Sequence, residues 1–108
     1  MATADLTGGV KIDPMPPSNG SPVEVSYNGK LAKGANNITL NVGYGEPHNF
    51  FKTQRVTMHK IGNEFQASFT VAASDKINMY FEDTQGGKDD NNGSYYQTVV
   101  DSENLSYG

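Results

Sequence analysis

The chain predicts an all-β fold, an antiparallel β-sandwich of immunoglobulin-like type built from about six or seven short strands. Three observations carry that expectation. Apolar and polar residues alternate with a period of two over several short runs. Turn residues separate those runs, with 12 glycines and many Asn, Ser and Thr in 108 residues. No stretch carries the spacing of an amphipathic helix.

The elements follow in chain order. Met1 to Gly9 show no periodic apolar pattern and read as a flexible leader. Val10-Lys11-Ile12 suits a short edge strand. From Asp13 to Pro22, prolines fix φ and remove backbone donors, so this stretch reads as a stiff connector. Residues 1–21 are therefore set apart as leader and proline-rich connector, and 22–108 as the sandwich. Val23, Val25 and Tyr27 then share one face, up to the Asn28-Gly29 turn signal. Ile38, Leu40 and Val42 point inward, with Thr39 and Asn41 outward, until Gly43-Tyr44-Gly45-Glu46-Pro47 breaks the strand. Val56 and Met58 begin another, and Gly62-Asn63 marks a hairpin. Phe65, Ala67, Phe69 and Val71 give the cleanest alternation, followed by Ile77, Met79 and Phe81. A last strand runs from Tyr95 to Val100, and adjacent Tyr95 and Tyr96 must face opposite ways.

Composition narrows the function classes. At 108 residues the chain suits one domain with one core. Its net charge is −4, which argues against a phosphate-backbone binder, so no nucleic-acid partner is expected. No apolar run reaches the ~18 residues of a membrane span. Nor is a signal peptide visible at Met1-Ala2-Thr3-Ala4-Asp5, so the chain reads as cytoplasmic if Met1 is the native start. If it is a module cut from a secreted enzyme, it is extracellular. The absence of cysteine removes disulfides, thiol catalysis and thiolate zinc sites.

Catalysis finds few candidates. Only His48 and His59 could serve a nucleophilic triad. His59, beside Lys60 at a strand end, reads as a surface histidine; His48, in a loop, is the better candidate for a ligand contact. Phosphate-cradling glycine motifs are missing. Asp89 and Asp90 are adjacent in a turn and point apart, which does not suit paired-carboxylate glycoside hydrolysis. No enzyme activity and no cofactor is expected. The polar loop Gly86-Gly87-Lys88-Asp89-Asp90-Asn91-Asn92-Gly93 can bind a polar ligand, hold a cation or simply turn the chain. It fails as an EF-hand. Aligned on Gly93, the first ligand position becomes Lys88 and the twelfth Val99. A calcium site of another kind, using Asp83, Asp89 or Asp90, stays open.

From Val23 to Val100 the chain resembles carbohydrate-binding module family 25, the starch-binding β-sandwiches attached to bacterial amylases. The matching features come in the family's order. They are Val25-Ser26-Tyr27-Asn28-Gly29 with Leu31, then Ile38-Thr39-Leu40-Asn41-Val42-Gly43-Tyr44-Gly45. Val56-Thr57-Met58 with Phe65 and Ala67 comes next, then Ile77-Asn78-Met79-Tyr80-Phe81-Glu82-Asp83 and the Asp-Asn-Asn-Gly loop with its aromatic. The resemblance implies non-catalytic binding of an α-1,4-glucan such as starch, glycogen or maltooligosaccharide. It also implies an attached or associated amylase-type enzyme. Aromatic rings would stack on glucose faces while amides and carboxylates bond the hydroxyls.

Three positions depart from the family's pattern. Its usual histidine before the valine-glycine pair is Asn41 here. Phe50 stands where a loop tryptophan is usual, and Lys88 where a second tryptophan precedes the acidic loop. The resemblance thus implies stacking by Phe50, with hydrogen bonds from Asn41, His48, Lys88, Asp89, Asn91 and Asn92. Tyr44, Tyr80, Tyr95 or Tyr96 would supply further rings. Phe50 and Phe51 are each open to a core position instead. A second expectation is a protein-interaction or spacer domain of the same fold that has lost sugar binding, exposing an apolar patch around Phe50, Phe51 and Tyr44.

Overall fold

The computed structural model describes residues 2–6, 8–15, 17–46 and 48–100, without the side chains of residues 2–5, 14 and 15. Expectations placed on Met1, Pro16, Pro47 and 101–108 lie outside these residues. Among the described residues the chain forms strands and no helix. The strands are β1 (Ala2–Asp5), β2 (Val10–Met15), β3 (Pro22–Tyr27), β4 (Ile38–Glu46) and β5 (Asn49–Thr57). The others are β6 (His59–Ile61), β7 (Glu64–Thr70), β8 (Lys76–Asp83), β9 (Lys88–Asp89) and β10 (Tyr96–Val99).

They build two antiparallel sheets packed together, the sandwich the alternation predicts. One sheet has the order β1-β2-β3-β7-β6. The other has the order β10-β8-β4-β5, with β9 pairing on β8. Strand alternation decides the core. Val23, Val25 and Tyr27, with Phe65, Ala67 and Phe69, point inward from the first sheet. Ile38, Leu40, Val42 and Tyr44, with Ile77, Met79 and Phe81, meet them from the second. Each Val, Leu, Ile, Phe or Met side chain among them contributes about 1.5–3 kcal/mol on burial. Across the core, Tyr27 and Phe81 stack with ring centroids 4.0 Å apart.

Two features depart from the sequence reading. The described residues among 1–21 are not set apart from the sandwich: β1 pairs with β2, and β2 pairs with β3. Val10 and Ile12 are fully buried in the core. Prolines concealed this. Pro14 falls where the β1–β2 register slips, between the Met15 and Ile12 rungs, so its missing donor interrupts no paired rung.

The strand expected to begin at Val56 is two strands in different sheets. β5 pairs with β4, and β6 pairs with β7. The chain changes sheets at buried Met58, whose amide donates to the Ile38 carbonyl at 2.9 Å. The extra short pieces, chiefly β1, β6 and β9, account for a strand count above the expected six or seven.

Candidate functional site

The outer face of the second sheet gathers the candidate site, and the β4–β5 pair shapes it. On β4, Tyr44 points into the core, so Gly43 and Gly45 present no side chain on the outer face. On β5 the register slips: Gly45 pairs with Phe50 and Tyr44 with Lys52, leaving Phe51 as the extra residue of a bulge. Both phenyl rings come to lie over the bare glycines. A Cβ on Gly43 would overlap the Phe50 ring, and one on Gly45 would stand 3.0 Å from Phe51 Cδ1. Neither phenylalanine is core. Phe50 is half-buried and Phe51 is 61% exposed.

Beside Phe50 the same face forms a concavity of about 260 Å³. Its lining includes Asn41, Phe50, Thr53, Arg55, Tyr80 and Glu82. Register explains the grouping, because Asn41 on central β4 pairs with Arg55 on one side and Tyr80 on the other. Asn41 Nδ2 donates to Glu82 Oε1 at 3.0 Å. Its Oδ1 has no protein partner among the described residues. Arg55 Nη2 lies 3.7 Å from the same Glu82 oxygen.

Tyr95 supports this face from below. Its ring lies 5.0 Å from His48, 5.3 Å from Phe50 and 5.8 Å from Tyr80, between centroids. Tyr95 faces this sheet surface, while Tyr96 faces the core against Phe81; Tyr95, expected on the same strand, precedes β10 with a φ of 62°, so the turn rather than strand alternation aims its ring. Lys88 borders the site, with its Nζ 4.9 Å from the Tyr80 ring centroid and 3.9 Å from Asp90 Oδ2. It lies over a Tyr80 ring face, outside the lining of the concavity.

The structure therefore brings Asn41, Phe50 and Tyr80 together, with Tyr95 beneath them and Lys88 at the border, and places the other residues expected at the site outside the concavity. Tyr44 is wholly buried; its hydroxyl donates to Gln54 Oε1 at 2.6 Å and accepts from the Ala72 amide at 3.0 Å. Asp89 is 3% exposed and faces inward. It accepts from the Tyr27 hydroxyl at 2.6 Å and from the Tyr96 hydroxyl at 2.8 Å. Burial first, and the bond to Asp89 second, push both tyrosine hydroxyls far above the ordinary phenol range. Tyr44 and Asp89 are thus corrected from ligand contacts to core groups. Strand alternation sends Tyr44 inward, and two buried phenols claim the carboxylate.

His48 spends both ring nitrogens on protein. Nε2 lies 3.2 Å from the Gly93 carbonyl and Nδ1 lies 3.1 Å from the Tyr95 hydroxyl. A neutral ring protonated on Nε2 satisfies both bonds. It ties the β4–β5 turn to the acidic loop.

The loop largely satisfies itself. Asp83 Oδ1 accepts from the Gln85 and Gly87 amides at 2.9 and 2.6 Å. Asp90 Oδ1 accepts from the Gly93 amide at 3.0 Å, and Asn91 Nδ2 donates to the Tyr95 carbonyl at 3.1 Å. Asn91, Asn92 and Tyr95 all hold positive φ, which such bonds must sustain. Asn91 and Asn92 line a different concavity, with Gly8, Lys30, Asp89 and Tyr96. No three His, Asp or Glu side chains converge as a metal-ligand set among the described residues.

Sequence reasoning missed Thr53, Arg55 and Glu82, and placed Phe51 only in the apolar patch of the protein-interaction alternative. The signal was present in part: Tyr44 inward implies two adjacent bare positions outward. The bulge that delivers two successive rings to them has no sequence mark. In comparisons with known proteins, no family model, no curated protein and no solved structure matches this chain.

Proposed function

We propose that this chain is a non-catalytic carbohydrate-binding domain whose ligand is an α-1,4-glucan such as starch, glycogen or a maltooligosaccharide. The observation that carries this reading is the pair of phenyl rings laid over Gly43 and Gly45, beside a polar concavity. A sugar ring has an apolar face and a hydroxyl rim. Phe50 and exposed Phe51 suit the face. Asn41, Thr53, Arg55 and Glu82 supply donors and acceptors for the rim. The family resemblance names the glucan, and Phe50 and Asn41 stand where that family usually carries a tryptophan and a histidine.

Affinity should be modest. Phenyl rings cover less sugar than indoles, and a shallow site loses much of its gain to ordering costs. The test is titration of the wild-type chain with maltoheptaose and soluble starch, alongside Phe50→Ala and Phe51→Ala. Millimolar binding that each change weakens supports the reading. No binding at millimolar sugar, or binding indifferent to both changes, overturns it.

A second reading, a protein-interaction domain of the same fold, is favoured by the exposure of Phe51. Its patch is smaller than expected, because Tyr44 lies in the core. It requires that the starch titration fail.

A further inference from the structure

Among the described residues, Glu82 is the one carboxylate that lines the aromatic-edged concavity. Its side chain is about one third exposed, 35% by accessible area. Both of its protein contacts fall on a single oxygen: Asn41 Nδ2 at 3.0 Å and Arg55 Nη2 at 3.7 Å both approach Oε1. Oε2 has no protein partner among the described residues. The carboxylate is therefore held from one side, by an amide and a guanidinium, with an unspent acceptor on the other. Arg55 is 70% exposed, and its other N–H groups also have no protein partner among the described residues.

The charges on this face balance. Arg55 stands against Glu82, and Lys88 against Asp90. Lys88 is also the register partner of Glu82, but its ammonium is turned to Tyr80 and Asp90. No uncompensated cation remains among these groups to attract an acidic ligand. A fixed carboxylate acceptor opposes one directly, because like charges in contact are costly. Hydroxyl groups can donate to Glu82 Oε2 and accept from Arg55, as neighbouring hydroxyls of an uncharged sugar do.

We propose that Glu82 is the specificity-determining acceptor of this site: it selects an uncharged polyhydroxylated ligand, whose hydroxyls can also accept from Arg55, and rejects carbohydrate bearing carboxylate or phosphate groups. This rests on the glucan-binding reading and adds a ligand class to it.

Calorimetric titration with two probes of one backbone tests it. One is maltoheptaose, and the other is maltoheptaose oxidised at C6 to carry carboxylates. The wild-type chain should bind the neutral sugar at least about tenfold more tightly. Glu82→Gln keeps an acceptor for Asn41 and removes the charge. It should weaken neutral binding by about tenfold and bring the two ligands within about threefold. Arg55→Gln should widen the preference for the neutral sugar. Unchanged melting temperatures confirm that each variant folds.

Glu82→Gln binding maltoheptaose as the wild type does would overturn the proposal while leaving glucan binding intact. A wild-type preference for the oxidised sugar would do the same. A wild-type chain that binds neither probe overturns the glucan reading itself, and the role of Glu82 with it.

Discussion

Two regions on the second sheet contrast sharply. The loop of residues 86–93 is dense in acids and amides, the sort of segment that draws attention in a sequence. The β4–β5 pair offers two glycines and two phenylalanines there and little else that stands out. In the folded chain their standing reverses. The loop turns its carboxylates on its own amides and on two buried tyrosines. The β4–β5 pair keeps its rings outward over bare glycines. A polar side chain in a tight turn has backbone donors within reach before any ligand arrives. An exposed ring over glycine has no such internal claimant.

The largest expected effect falls on stability, in the loop. Asp89→Ala leaves two buried phenol hydroxyls without their acceptor and should cost about 3 kcal/mol in chemical denaturation. Asp89→Asn keeps one acceptor oxygen and should cost less. If Asp89→Ala instead abolished glucan binding at unchanged stability, the loop would be a binding element and the contrast would break.

Next come the rings. Phe51→Ala should weaken maltoheptaose binding by about tenfold and shift stability little, because the side chain is mostly exposed. Gly43→Ala sharpens the same point without touching a ring. Its methyl would occupy the space of the Phe50 ring, so affinity should fall although every aromatic remains.

A smaller effect should appear with pH. Burial first raises the hydroxyl pKa of Tyr27, Tyr44 and Tyr96 in the folded chain. The folded state then keeps protons that the unfolded state loses above about pH 10. The stability held in these phenols is complete below that pH and declines as pH rises beyond it. Melting temperatures from pH 7 to 11 should be flat at first and then fall, and Tyr27→Phe should fall less steeply. A wild-type curve that stays flat to pH 11 would contradict the buried phenol–carboxylate cluster.

The smallest effect belongs to Lys88→Ala. It removes an exposed cation–π contact and a surface ion pair, so stability should change by under about 1 kcal/mol. Affinity should change by less than about threefold, since Lys88 does not line the concavity.

Much of the fold was legible because alternation reports burial directly. β3, β4, β7 and β8 each bury one face, and their apolar residues recur at every second position. β5 was not legible. It sits at the sheet edge, mostly exposed, so Asn49–Thr57 carries no apolar alternation, and a bulge breaks what period remains. β2 was obscured by proline, whose tolerance depends on a register slip visible only in pairing.

The site was legible in part for the same reasons. Asn41 and Phe50 follow from position along the chain. Glu82 and Arg55 become neighbours only through the register of β8 and β5 on β4. Asp89 looked free because nothing in the sequence marks Tyr27, 62 positions away, as its partner.

The central claim is that ligand meets the rings and the concavity rather than the acidic loop. Amide and aromatic chemical-shift mapping during a maltoheptaose titration tests this most directly. The account predicts the largest shifts at Gly43, Phe50, Phe51, Thr53, Arg55 and Glu82 and in the Tyr80 ring, with Asn91 and Asn92 nearly still. Shifts centred on residues 89–93, or none at millimolar sugar, would contradict it.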